Sequence, residues 1–324
     1  TVEARATSIA GGIAGSVGGA LSDATNDREV AVDLILRELD VRGDARIAAL
    51  GRSGFDGISS GVTTGTVALG ANRTILRDTS STAVALTLDQ DNAGDLMVGG
   101  QATVEALSDQ QADNDVTSGQ GAVVGLAAAW VTTELATTTE ARIDSADGST
   151  LTAGGFTVRA EHALDLEATG DSYSARVAGA GATDIGSTAE AEVGVVLDDI
   201  AVEAEEILVE SVAELAKSSD RFDGRIGDVG VFTGAALMSD TAFDAALDIT
   251  VRDSTLTQRA PGTDDPRGAT FAVRGIYAGQ DALKIDSGGA VTGAIAESEI
   301  AVDAAGSILF DGATVVSDGD LTAT

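Results

Sequence analysis

One short phrase returns along this chain and restricts what it can fold into. Val2-Glu3-Ala4, Val104-Glu105-Ala106, Val158-Arg159-Ala160 and Val202-Glu203-Ala204 share a form: an apolar residue, a charge, then a small residue. The last three begin 54 and 44 residues apart. Self-similarity at such spacing marks a stacked architecture, in which each repeat covers the apolar face of its neighbour. A stack is first a scaffold or a surface, and only then a container for chemistry.

The apolar residues suit a slender stack. They make up 44% of 324 residues, yet aromatics contribute only 3% and there are 40 glycines. Ala, Val, Leu and Ile fill the space between close layers, whereas a broad globular core draws on more rings. Pro261 and Pro266 are the two prolines, so nearly every residue can donate a ladder hydrogen bond. Gly, Asn and Asp must then supply the turns.

Acidic residues number 52 against 19 basic ones, a net charge of −33. Such a chain repels phosphate backbones and anionic membrane surfaces, which excludes nucleic acid as a partner. A salty medium screens the self-repulsion, so the charge reads as an extracellular or cell-surface setting. Cysteine is absent, which removes disulfide staples and thiol catalysis. The apolar stretch 9–21 is shorter than the ~20 residues of a membrane span, so no membrane crossing is expected. The chain opens at Thr1 without a signal-peptide pattern and reads as one segment, residues 1–324, of a longer secreted protein.

Two-residue alternation is frequent. Val30, Val32, Leu34 and Leu36 alternate with Glu29, Ala31, Asp33 and Ile35, and residues 247–252 behave alike. That period means strands with one covered face. Asp56-Gly57, Gly154-Gly155, Asp223-Gly224 and Asp311-Gly312 read as turns between them. The fold class is therefore all-β, and the recurring phrase selects a parallel β-helix or β-solenoid. With ~20 residues per rung, the chain makes ~16 rungs and a rod roughly 75 Å long. Its ends expose unpaired strand edges. The stretch 258–268, with both prolines, reads as a surface loop.

One segment points elsewhere. In 199–217, Ile200, Ala204, Ile207, Leu208, Ser211 and Leu215 fall at helical spacing, with Glu203, Glu206, Glu210 and Glu214 opposite. This predicts a helical excursion near 199–217, although the strand phrase Val202-Glu203-Ala204 lies inside it.

The phrase Ala153-Gly154-Gly155-Phe156-Thr157-Val158-Arg159-Ala160, with Ala/Gly-rich tracts at 178–182 and 189–196, resembles the large secreted bacterial adhesins of the filamentous haemagglutinin type. The resemblance implies a right-handed parallel β-helix exported across a bacterial outer membrane. It implies an adhesive or structural surface filament, with a cell-surface or matrix glycan or protein as a partner; the open ends imply either that flanking protein continues the stack or that copies join end to end.

Candidate chemistry is sparse. His162 is the only histidine; it follows Glu161 and reads as a surface residue, with no nucleophile motif beside it. Asp89, Asp91 and Asp95 imitate the start of a calcium loop, with Gly94 at its sixth position. Position twelve is Gly100, where such a loop needs a bidentate Glu, so calcium rests on half a motif. Asp113-Asn114-Asp115 is weaker. Paired carboxylates can hydrolyse glycosides, but sugar platforms want exposed rings, and Trp130, within Ala127-Ala128-Ala129-Trp130-Val131, reads as core. Arg42-Gly43-Asp44 reads as a turn, and Asn72-Arg73-Thr74 spells a glycosylation sequon. The reading is a non-enzymatic, cofactor-free surface protein. A glycan-processing β-helix enzyme and a calcium-stabilised surface-layer protein are the alternatives.

Overall fold

The computed structural model of the protein describes residues 2–89, 96–145, 149–218, 223–259 and 268–324. Among them all regular structure is β-strand, in one parallel sheet that winds over itself. Val2, Phe55, Ala112, Leu166, Lys217 and Gly279 stack in register, so the chain makes six coils with 51 to 62 residues between equivalent positions. The coils are numbered one to six from these residues. The solenoid is present, but its dimensions differ from those expected. At ~4.8 Å per layer the stack stands roughly 29 Å tall, not 75 Å.

Each coil is a long, flat loop. Coil four runs outward from Leu166 to Arg176, turns over a tip at 177–180, and returns along 181–197. A corner leads to the short side Ala201–Ala204, and a second corner to Ile207–Lys217, the next outward run. Strands of 44, 50 and 49 residues (Ala45–Leu88, Leu96–Ser145, Thr150–Asp198) bend over the tip without losing their ladders. A rung is longer than the sequence suggests because only some Gly dipeptides mark corners: Gly154-Gly155 is level with the corner at Glu205-Glu206 and Gly312 lies at another, but not every one does. Asp56-Gly57 lies inside Ala45–Leu88, where a Cβ on Gly57 would sit 2.8 Å from Leu76 Cδ2 on the facing wall. Glycine is placed there by the close approach of two walls. The first corner uses left-handed backbone: Asp199, Asp253 and Gly312 have φ of 54°, 45° and 66° there in successive coils.

No helix forms at 199–217; the structure has strands Ala201–Ala204 and Ile207–Lys217. The reason is phase. Ile200, Val202 and Ala204 point inward, two corner residues intervene, and Ile207, Val209, Ser211, Ala213 and Leu215 point inward again. Two alternating runs offset by a corner imitate a 3.6-residue period. Of the stretch 258–268, Gln258 is fully buried at the end of strand Thr255–Gln258, and 260–267 lie outside the described residues.

The interior differs along its length. At the broad end, aliphatic side chains form vertical ladders. Leu34, Leu86, Ile143, Leu197, Val251 and Phe310 form one; Leu39, Leu96, Leu151, Val202, Leu256 and Val315 form another. A fully buried rung residue of this kind contributes about 1.5–3 kcal/mol of transfer free energy. Phe271 and Phe310 close the upper end edge to face, 4.9 Å between centroids.

Toward the tip the walls converge into a blade. A Cβ on Gly18 would lie 2.9 Å from Ala10 Cβ opposite. The blade holds small and polar groups that bond across the gap, and between them two small apolar clusters, Val116 with Ala129, Val131, Ala168 and Ile185, and Ile226 with Ala235 and Leu237. Ser22 Oγ donates to the Ala4 carbonyl at 2.7 Å, and Ser59 Oγ to that of Ala20 at 3.1 Å. Arg176 and Asp228 form a fully buried pair at 2.9 Å, with Arg176 also donating to Gln120 Oε1 at 3.1 Å and the Gly125 carbonyl at 2.9 Å. Further back, Lys217 pairs with Asp281 and donates to Thr241 Oγ1 at 2.8 Å. The charged groups are tolerated inside because their charge partners are there, while Arg176 Nε and the hydroxyls of Thr63, Thr74, Ser118 and Thr183 have no hydrogen-bond partner among the described residues.

Candidate functional site

Outward side chains also stack in columns, and the columns decide what the surface can do. On the outer walls, Arg77 reaches Glu134 at 2.9 Å, Arg259 reaches Glu203 at 2.9 Å and Arg274 reaches Glu210 at 2.6 Å, each carboxylate one coil away. These pairs knit neighbouring coils; the exposed Arg77–Glu134 and Arg259–Glu203 pairs are worth under about 1 kcal/mol each, whereas Glu210 is buried beneath Arg274. A tighter cluster spans coils four to six. Tyr173 donates to Asp171 at 2.9 Å, the Arg225 guanidinium lies 5.6 Å over the Tyr173 ring, and Asp286 meets both Arg225 at 3.5 Å and Lys284 at 3.0 Å. Burial pushes the Asp171 carboxyl and the Tyr173 phenol up, and the Lys284 hydrogen bond pulls Asp286 down.

The return wall beside the tip is different. Leu21, Arg73, Trp130, Asp184, Met238 and Glu297 form one outward column. Next to it runs a column of small residues: Gly19, Ala71, Ala128, Ala182 and Ala236. Along the tall column runs a groove of about 680 Å³, lined by Gly19 and Ala71 on coils one and two and by Thr132 and Gly186 on coils three and four. Trp130 is its centre and is 39% exposed. The expectation that Trp130 is core is corrected by parity: Ala127, Ala129 and Val131 take the inward positions. In an apolar run, both faces of the strand look alike, so the sequence did not reveal this.

The groove lining carries one carboxylate, Asp184, and one guanidinium, Arg73. Neither forms an ion pair among the described residues; Arg73 reaches Thr132 Oγ1 at 3.4 Å. Around it lies a belt free of outward charge. Residues 9–21, 62–72, 116–133, 229–238 and 288–296 contain no Asp, Glu, Lys or Arg, and in 175–183 the lone Arg176 points inward. The belt exposes Val17, Leu69, Leu126, Phe232 and Ile295 in a chain of net charge −33.

The residues singled out from sequence scatter. Asp89 ends the strand Ala45–Leu88, donates its amide to the Leu36 carbonyl at 2.8 Å, and pairs with Arg37 at 3.4 Å. Asp91 and Asp95 lie outside the described residues. No group of three or more His, Asp or Glu is disposed to hold a metal among the described residues. Asn114 is fully buried, and Asp115 accepts from Thr169 at 3.0 Å. His162 is 1% exposed, which corrects its surface reading; it occupies an inward position and burial lowers its pKa to about 4. Asn72 is 2% exposed, accepts from the Ala20 amide at 2.9 Å and donates to the Thr117 carbonyl at 2.7 Å, so its sequon is sealed inside the blade. Arg42-Gly43-Asp44 does form a turn, between Leu39–Val41 and Ala45–Leu88, with Asp44 Oδ1 accepting from the Gln101 amide at 2.9 Å. No helix is long and apolar enough to cross a membrane among the described residues.

No family model, curated protein or solved structure matches this chain.

Proposed function

We propose that the protein is a structural and adhesive segment of an extracellular filament, of the kind that the filamentous haemagglutinin resemblance implies. The observation that carries this reading is the pair of open faces. Coil one (Val2–Gly12, Ser16–Asn26, Glu29–Leu36) is paired only with the coil above, and Val291–Asp311 only with the coil below. Each face presents a row of free backbone donors and acceptors, which further coils extend, from the same chain or another copy. The acidic walls keep such a rod soluble and offer many weak contacts to a glycan or matrix protein.

Electron micrographs of the purified protein test this. Rods longer than the roughly 29 Å of six layers support it. Particles of single-stack height at every concentration, with no retention on immobilised matrix protein or glycan, sink it. The groove favours binding over turnover, since glycoside cleavage uses two facing carboxylates and this lining has one.

A further inference from the structure

The Trp130 column matches its own reverse. Read upward through coils one to five it is Leu21, Arg73, Trp130, Asp184, Met238; read downward, each residue meets a suitable opposite. We propose that the groove is the centre of a two-fold lateral interface between two copies of this chain, stacked antiparallel, with Trp130 on the axis. A two-fold axis lying in the interface and perpendicular to the stack sets like columns face to face with coil order reversed. Trp130 then meets the partner's Trp130, Arg73 meets the partner's Asp184, and Leu21 meets the partner's Met238.

A second column, at the edge of the tip beyond the small residues, supports the same axis through size. Val17, Leu69, Leu126, Ala180 and Gly234 succeed one another up the stack. Reversal places Leu69 against the partner's Ala180 and Val17 against the partner's Gly234, large against small. Parallel pairing about the same column sets Arg73 on Arg73 and Asp184 on Asp184, and like charges in contact are penalised.

Charge selects a second copy as the occupant. With a net charge of −33, two copies meeting by their other walls bring acidic surfaces together; beside Trp130 the outward charges on coils one to five are Arg73 and Asp184 in its own column and, in the next column away from the tip, Asp240 and an Asp23 that Arg77 pairs at 3.5 Å. The groove, lined from coils one to four, lies at the middle of that contact. An exposed Trp and Arg at its middle are the side chains that most often anchor such contacts.

Charge reversal tests it. Arg73→Asp alone and Asp184→Arg alone each weaken self-association about tenfold or more by sedimentation equilibrium, and the double variant restores it. Both sites are exposed, so melting temperature stays constant. Trp130 is the only tryptophan, so dilution of the wild type shifts its emission to longer wavelength as pairs separate. End-to-end growth gives a ladder of masses that the swaps leave untouched, which keeps the two kinds of association apart. A wild type of single mass at all concentrations overturns the proposal, as does a double variant no tighter than the singles. So does a Trp130 shift produced by maltoheptaose or phosphatidylcholine vesicles in protein that stays monomeric.

Discussion

The broad end and the blade are held by different forces within the same coils. At the broad end, ladders such as Leu39–Leu96–Leu151–Val202–Leu256–Val315 exclude water, and shape matters more than direction. In the blade the walls lie so close that Gly18 faces Ala10 with no room for a Cβ, and the buried apolar side chains form only small clusters such as Val116–Val131–Ile185 and Ile226–Leu237. Cohesion there comes from directed bonds: Ser22 to Ala4, Asn72 to Thr117, Arg176 to Asp228. The lesson is that thickness sets the chemistry of a parallel stack. Where two sheets are a Leu apart, hydrophobic transfer serves; where they are a Ser apart, hydrogen bonds must.

That contrast can be broken at both ends. Phe156→Ala opens a void beside Ala102 and Ile207 and costs about 3–5 kcal/mol by denaturant titration, with no salt dependence. In the blade, Asp228→Ala leaves the Arg176 charge buried without its partner and costs about 3 kcal/mol or more. Replacing both, Arg176→Met with Asp228→Leu, recovers most of that loss; if it does not, the blade depends on the ion pair itself and not merely on satisfying it.

His162 sharpens the comparison at the border of the two regions. Its folded pKa of about 4 lies below the 6.5 of the free side chain. The unfolded chain therefore takes up a proton that the native site refuses. Stability is full above pH 6.5 and falls as pH drops towards 4, by about 3 kcal/mol in total. His162→Leu removes this component, so the difference between its stability–pH curve and that of the wild type should track that window. Parallel curves would refute the assignment. The smallest effect is that of Ser211→Ala, which removes the 2.8 Å bond to the Val193 carbonyl and costs about 1 kcal/mol by the same titration.

Strand identity is readable in the sequence because alternation is a local property. Val104-Glu105-Ala106 and Val158-Arg159-Ala160, 54 residues apart, are indeed stacked neighbours. Val202-Glu203-Ala204 is not in their column; it sits on Leu151-Thr152-Ala153, while Val209 stacks on Val158. Coil length is hidden because Gly serves close approach as well as turning, and nothing local separates the two uses at Gly57. The helical imitation at 199–217 comes from a two-residue corner that resets the phase. The surface is less legible than the fold. Trp130 sits among alanines whose inward and outward positions are chemically alike, and the flanking of Trp130 by Arg73 and Asp184 emerges only once residues 111 apart share a column.

The wide coil also makes the molecule a reservoir of length. Coils three and four are 54 residues apart in register. Peeling one such coil from an open face lowers the stack by ~5 Å but releases roughly 180 Å of extended chain. A rod built this way yields under tension in large discrete steps, absorbing work layer by layer while the layers beneath keep their shape.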